Sequence, residues 1–318
     1  MLAVTRSKVG RGGAGALALI ALMALMGAPA HAADIPVPKL NSAAAGLLPE
    51  AVKSRGSIHV VSTFGYAPQQ YFGEDGKTPL GFSVDLAKAL GAVVGLPVQF
   101  TNGRFDSIIP GLEAGRFDMA IAAMSATAER GAKVHFLLYQ NTDARLLVRG
   151  GNPAKIQSLA DLCGRKVASL KGSLYNQVID AVSAKCKENG KPAVDLSTYD
   201  SSDSVVQALI SGRADASYRD SAPIAVAAKA SEGKLQVVGP EYPDTTYGVA
   251  FAKDNLALAK SMTAAMQALI ADGTYKAILD KWNLGSRAVK SADLIEAGSP
   301  ASAYPRSPSA ADIAFGKK

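Results

Sequence analysis

At 318 residues, with 48% hydrophobic and 19% charged side chains, the chain has the composition of an ordinary globular protein and the length for two domains, which excludes disorder as the default. The formal charge of +7 falls to about +4 once three basic residues near the N-terminus are set aside. No basic block marks the remainder, so nucleic-acid binding is not expected.

Residues 1–32 differ from the rest. Arg6, Lys8 and Arg11 precede the apolar run GALALIALMALMGA, and AHA ends at Ala32, the layout of a cleavable secretory signal with small residues at the cut. The run is short for a membrane span, which would make an uncleaved anchor the alternative. Export with cleavage after Ala32 is the expectation. GRGGAG at 10–15 looks like a nucleotide fingerprint but falls inside this segment.

Residues 33–57 read as an N-terminal leader that ends in a short helical stretch, PEAVKSRG. IHVV (58–61) reads as a buried strand, and a loop rich in aromatics, Pro and Gly follows. Ser83 is placed as the N-cap of a helix whose inward positions Leu86, Leu90 and Val93 recur at helical spacing, with Gly95-Leu96-Pro97 ending it. VQF is the next strand. Asp106 is placed to cap the helix SIIPGLEA, which Gly115 stops before the strand MAIAA (119–123).

The alternation returns after residue 150. Strand VASL (167–170) leads through Lys171-Gly172-Ser173 into a helix to about residue 187, then come strand VDL, a helix over about 203–211 stopped by Gly212, and strand ADASY (214–218). Strands alternating with helices of this length predict two α/β lobes, each a mainly parallel sheet flanked by helices. The repetition shows locally: IPGLEAGRFDMAIAA and VQALISGRADASYRD share a helix, a Gly-Arg turn, an Asp and a buried strand. TYGVAFAKDN and the helices LALAKSMTAAMQALIADG and TYKAILDKWNL follow the second lobe. Residues 286–318, rich in Ser, Ala and Pro, read as a surface tail.

Cys163 and Cys186 are the two cysteines. In an oxidising compartment they read as one disulfide worth roughly 3 kcal/mol, the alternative being two buried thiols. After the signal segment only His59 and His135 remain, and no ligand cluster accompanies either, so no metal or other cofactor is expected.

Ser125 and Arg130 follow directly on the strand MAIAA, and the carboxyl ends of strands form the ligand-binding edge of an α/β sheet. A guanidinium offers a fixed fork of donors that matches a carboxylate, and a hydroxyl adds another donor. Asp220, two residues beyond ADASY, sits at the corresponding edge of the second lobe and suits an ammonium group. Together they suit a zwitterion held between lobes. Taken singly, Arg130 also fits a surface ion pair, Asp220 a helix cap, and Tyr66, Phe72 and Phe105 core packing.

In order along the chain stand GFSVDLAKAL, FDSIIPGLEAGRFDMAIAAMSATAER, DARLLV, DLCGRKVASLKGS, ALISGRADASYRD and ADGTYKAILDKW. This series resembles the family 3 extracellular solute-binding proteins, the amino-acid receptors of periplasmic ABC importers, over 58–284. The resemblance implies a two-lobed periplasmic binding protein fold of type II. Lobe 1 would comprise 58–144 and 246–285, lobe 2 residues 145–245, with a two-segment hinge near 144–149 and 239–246. It implies that Arg130 clamps the ligand α-carboxylate with help from Ser125, that Asp220 holds the α-ammonium, and that Tyr66 and Phe105 sandwich the ligand side chain. Gly172 and Ser173 would form a turn at a helix start whose amides favour a carboxylate.

The chain departs from the family pattern at three places. Ala122 and Ala123 stand where small hydroxyl residues are frequent, no acid stands near Thr63, and Leu174 follows Ser173 where a second hydroxyl is common. Ala123 and Thr63 complete the expected ligand-facing set, and a neutral or weakly polar ligand is expected over a strongly cationic one. The resemblance further implies a periplasmic location, an amino acid or close analogue as ligand, an inner-membrane ABC permease as partner, and a monomer without enzymatic activity. The alternative is a periplasmic enzyme on the same scaffold, similar to cyclohexadienyl or arogenate dehydratases, which would need a general acid or base in the cleft. His135 is the candidate there but reads as a packed residue. A soluble sensor is a third possibility.

Overall fold

The computed structural model describes residues 35–306. The expected signal segment 1–32, with its cut after Ala32, and the last part of the expected tail, 307–318, lie outside the described residues.

Asn41 accepts a hydrogen bond from the Ala44 amide and so starts α1 (Ser42–Gly46), and α2 (Glu50–Arg55) ends on Gly56. β1 (Ile58–Ser62) follows, then a small antiparallel hairpin of β2 (Tyr71–Phe72) and β3 (Pro79–Leu80). α3 (Phe82–Val93) begins one residue before Ser83, because Gly81 at φ 122° makes the cap. A Cβ there would stand 2.3 Å from the Gln69 carbonyl oxygen, so only glycine fits. Ser83 is consequently a buried residue of the first turn rather than the expected cap.

β4 (Val98–Asn102), a 3-10 turn at Phe105–Ser107, α4 (Ile108–Glu113) and β5 (Met119–Ala120) come next. No side chain caps α4; the Asp106 carboxylate instead faces Arg104 and Lys171. The strand expected over 119–123 keeps only two residues, since the backbone leaves the sheet and reaches φ 51° at Ala123. α5 (Ala128–Gly131) is started by Thr127, whose hydroxyl accepts from the Arg130 amide. β6 (Val134–Arg149), a 3-10 turn at Leu159–Leu162, β7 (Lys166–Leu170) and α6 (Leu174–Glu188) lead on to β8 (Asp195–Tyr199), α7 (Ser202–Ile210) and β9 (Ala216–Asp220). α8 (Ser221–Ala230), β10 (Leu235–Ala252), α9 (Leu256–Ala271), α10 (Thr274–Lys281) and β11 (Leu294–Ile295) complete the order.

The strands form two lobes around one shared pair. The sheet order is β4-β1-β5-β10-β6-β9-β7-β8. β6 and β10, 16 and 18 residues long, pair antiparallel and run through both lobes. In lobe 1, β4, β1 and β5 are mutually parallel beside β10; in lobe 2, β9, β7 and β8 are mutually parallel beside β6. The pairing of β6 with β10 slips between Val238 and Tyr242 and again between Pro243 and Thr246. That places one crossing at 239–246. The other lies at 140–143, slightly earlier than the expected 144–149, because Ala144 already pairs with Asp220 in lobe 2.

Separate apolar cores hold the lobes. Leu86 and Leu90 of α3 pack with Phe251, Met262 and Leu269 in lobe 1, while Val178, Ile179 and Val182 of α6 pack with Tyr218 in lobe 2. Each buried side chain of this size contributes roughly 1.5–3 kcal/mol. The single disulfide, Cys163–Cys186, joins the end of the 3-10 turn to the last turn of α6, with Cα atoms 5.5 Å apart. Residues 286–306, part of the expected surface tail, pack onto lobe 1. β11 pairs with β6 (Leu294 with Leu137, Ile295 with Phe136), and Tyr304 is buried against Gly131, where a Cβ would meet the phenol oxygen at 2.0 Å. A two-residue strand is too short to show periodicity in sequence, so this strap over lobe 1 was not legible there.

Candidate functional site

The carboxyl ends of β1, β5, β7 and β9 all point to the gap between the lobes, as open α/β sheets lead one to expect. They wall a cavity of about 490 Å³ of atom-free space, counting its mouth. The eight residues expected to face a ligand line it together: Thr63, Tyr66, Phe105, Ala123, Ser125 and Arg130 from lobe 1, and Ser173 and Asp220 from lobe 2. Gly172 does not line it directly, but its backbone takes part. A side chain on Gly172, at φ 75°, would press on the Asp106 backbone at 3.2 Å, so glycine permits the lobes to meet there.

Arg130 is fixed from both lobes. Its Nη1 donates to the Ser125 carbonyl at 2.8 Å, its Nη2 to the Gly172 carbonyl at 3.0 Å, and the guanidinium lies 5.4 Å from the Phe105 ring centroid. Ser125 itself is anchored by a bridge to Tyr247. Asp220 stands at the cap position of α8 yet makes no capping bond. Its carboxylate instead accepts from the hydroxyls of Tyr66, Tyr175 (2.7 Å) and Thr142 (2.9 Å). Those donors come from lobe 1, lobe 2 and the β6 crossing respectively. Among the described residues none supplies Asp220 with a cation within ion-pair distance, so a buried negative charge is met by neutral donors alone. Burial pushes the Tyr66 and Tyr247 hydroxyls well above the ordinary tyrosine value, and the neighbouring Asp220 charge pushes them further.

Five further polar residues line the cavity that the sequence did not single out: Gln70, Ser169, Tyr175, Ser202 and Arg219. Gln70 Nε2 donates to the Thr63 carbonyl at 3.2 Å, while Gln70 Oε1 and Ser169 Oγ are buried without a hydrogen-bond partner among the described residues. Arg219 is only 4% exposed. Its Nη2 donates to Ser202 Oγ at 2.7 Å, Nη1 approaches the Ser202 carbonyl at 3.5 Å, and the guanidinium lies 4.9 Å from the Tyr66 ring centroid. Each of the two aromatic walls therefore carries an arginine. Period-two alternation puts Arg219 on the face opposite Asp220, which hid it in sequence; β9 is buried on both faces, so both side chains are interior.

At the rim, Arg104 of lobe 1 pairs with Asp200 of lobe 2 at 2.6 Å, and Lys171 of lobe 2 with Asp106 of lobe 1 at 3.5 Å. The hydrogen-bonded Arg104 guanidinium holds the Asp106 carboxyl below its usual range. His135 lies outside the cavity: Nδ1 accepts from the Ala297 amide at 2.8 Å and Nε2 faces the Lys253 carbonyl at 2.9 Å, so it ties the strap to lobe 1. The described residues contain no cluster of three or more His, Cys, Asp or Glu side chains that could hold a metal ion.

Comparison with known proteins matches residues 58–285 to the model of the bacterial extracellular solute-binding proteins, family 3. The arginine-binding protein ArgT of Corynebacterium glutamicum is 29% identical over 250 residues, covering 78% of this chain and 80% of that protein. The L-cystine-binding protein TcyJ of Escherichia coli K12 is 31% identical over 267 residues, covering 84% and 97%. Among solved structures, an ancestral arginine-binding protein bound to arginine superposes with a TM-score of 0.66 at 34% identity, covering 72% of this chain and 98% of that one. An ancestral amino-acid-binding protein described as a precursor of cyclohexadienyl dehydratase gives 0.60 at 30% identity, covering 73% and 98%.

Proposed function

The chain belongs to the bacterial extracellular solute-binding proteins of family 3, and on that premise we propose that it is the periplasmic substrate-binding component of an ABC importer, taking an amino acid between its lobes. The observation that carries this reading is the pair of opposite charges across the cleft, Arg130 on lobe 1 and Asp220 on lobe 2, the latter met only by hydroxyls. The α-carboxylate goes to Arg130 and Ser125, with the amides after Gly172 opposite. The α-ammonium goes to Asp220. Micromolar binding needs about −8 kcal/mol. Two charge-assisted contacts in a cleft dewatered by the ligand, with aromatic contact, supply that after ordering costs.

A ligand touching both lobes favours the closed arrangement over an open one, and this differential affinity moves the hinge at 140–143 and 239–246. The cross-lobe pairs Arg104–Asp200 and Lys171–Asp106 belong to the closed arrangement. Closure is the signal an inner-membrane permease would read, and the protein acts as a monomer. Removal of residues 1–32 by a signal peptidase delivers it to the periplasm, in keeping with a family named as extracellular. Relatives named for arginine and for L-cystine support an amino acid as the class of ligand without fixing its side chain. The dehydratase reading has the weaker support, since the solved structure described as a dehydratase precursor is itself described as amino-acid-binding.

A thermal-unfolding panel of the twenty amino acids and L-cystine tests the proposal. A cleft ligand at 100 times its dissociation constant should add about 2.7 kcal/mol of stability. A flat panel, with turnover of prephenate or arogenate, would overturn it.

A further inference from the structure

We propose that the cleft selects an amino acid whose side chain ends in a carboxylate, and that Arg219 is the residue that reads it; this rests on the assignment of the ligand head group to Arg130 and Asp220 above. Arg219 is interior to the cavity, its hydrogen bonds go to Ser202, and it acts on the Tyr66 hydroxyl, both neutral groups. Among the described residues no carboxylate lies within ion-pair distance of it. Asp203 acts on it through space, but from an exposed position at the start of α7. A guanidinium carries five N–H donors, and Ser202 takes two. Holding such a charge away from water without an anion is costly, and a ligand anion relieves the cost.

The charge balance of the wall points the same way. Arg130 and Arg219 against Asp220 leave one excess positive charge among the described residues that line the cavity. A zwitterionic head group engages Arg130 and Asp220 without changing that balance. A side-chain carboxylate then neutralises the excess, whereas the guanidinium of an arginine ligand would double it. Arg219 and Asp220 line the same cavity, together with Tyr66, whose ring lies under the Arg219 guanidinium and whose hydroxyl donates to Asp220, so a ligand whose ammonium sits on Asp220 has its side chain beside Arg219. Tyr66, Ser202 and Arg219 are also shared with an adjoining hollow lined by Tyr71, Asp203 and Val206. These three residues form the wall between the cavity and that hollow. A distal carboxylate could come from a short acidic side chain or from the second head group of a longer amino acid such as cystine.

Calorimetry on the full chain with L-glutamate, L-aspartate and L-cystine, against L-glutamine, L-asparagine and L-arginine, decides the matter. The tightest ligand is expected to be one that carries a distal carboxylate, about tenfold or more above glutamine and further above arginine. Glutamate or aspartate as the tightest ligand places the carboxylate beside Arg219; cystine places it towards the hollow. Arg219→Met should abolish the preference, and Arg219→Lys should keep part of it. Unfolding midpoints check that the variants fold, and the wild-type ranking stands without them. Glutamine or arginine binding as tightly as every carboxylate-ended ligand, with binding still lost in Arg130→Ala and Asp220→Ala, would overturn the role of Arg219 and leave the head-group assignment intact. Binding that survives both of those changes, or no binding by any amino acid, would overturn both.

Discussion

The Tyr66 hydroxyl of lobe 1 donates to the Asp220 carboxylate of lobe 2, 154 positions away in sequence. One bond thus joins the ligand-facing loop after β1 to the strand end that carries Asp220, the one acid among the described residues lining the cleft. Tyr66→Phe keeps the ring under Arg219 and removes only this donor. Hydrogen bonds to charged groups contribute about 1.5–3 kcal/mol, and Tyr175 and Thr142 remain, so amino-acid affinity should fall by about 1–2 kcal/mol. Calorimetry showing unchanged affinity would mean that Tyr66 does not help to orient the carboxylate.

Four buried tyrosines make stability sensitive to alkaline pH. Burial raises Tyr66, Tyr139 and Tyr247 above the ordinary value of 10.0 and pushes Tyr275 up to about 12. For Tyr66 and Tyr247 the Asp220 charge adds to the shift. The folded state favours their neutral forms, so their contribution is complete below pH 10 and is lost as pH climbs from there through the raised values. The unfolding midpoint should show no tyrosine-linked loss up to about pH 10 and should decline above it. Tyr66→Phe should soften that decline.

Helix α5, which carries Arg130, is braced by the C-terminal strap. The Gly298 amide donates to the Gly131 carbonyl at 2.8 Å, and Tyr304 occupies the space a side chain on Gly131 would need. Gly131→Ala should cost about 1–3 kcal/mol through overpacking and weaken ligand binding by shifting Arg130. Adding Tyr304→Ala should recover much of that loss, a coupling that a double-mutant cycle measures. Additive losses would contradict the steric account.

The Cys163–Cys186 bond lies away from the cleft and closes a loop of 23 residues. Replacing both cysteines by serine should lower stability by about 3 kcal/mol while leaving ligand affinity unchanged. Denaturant unfolding and calorimetry on the same variant check the two halves of that expectation.

How much of this could be read from the sequence depended on the range of the interaction. The β/α alternation and the duplicated lobe are local patterns and the structure has them, while Ser125 and Arg130 line the cavity although β5 stops at Ala120 and Arg130 stands on α5. Two expected caps differ because tertiary contacts decide them: the close Gln69 backbone makes Gly81 start α3 in place of Ser83, and ion pairs engage Asp106 with Arg104 and Lys171 rather than with α4. Arg219 was hidden by the alternation rule, which fails where a strand is buried on both faces. Tyr175 sits on the second residue of α6 and reaches Asp220 only through the tertiary fold, 45 positions away. The strap was missed because short segments that pack by single aromatic contacts leave no period to count.

The most direct measurement is the calorimetric affinity of Arg130→Ala and Asp220→Ala for whichever amino acid stabilises the wild-type chain. Each variant should bind at least about 2 kcal/mol more weakly, roughly thirtyfold, because each leaves one charged end of the ligand buried without its partner. Near-wild-type affinity in both, with the variants folded, would contradict the reading that the two lobes grip an amino acid by its opposite charges.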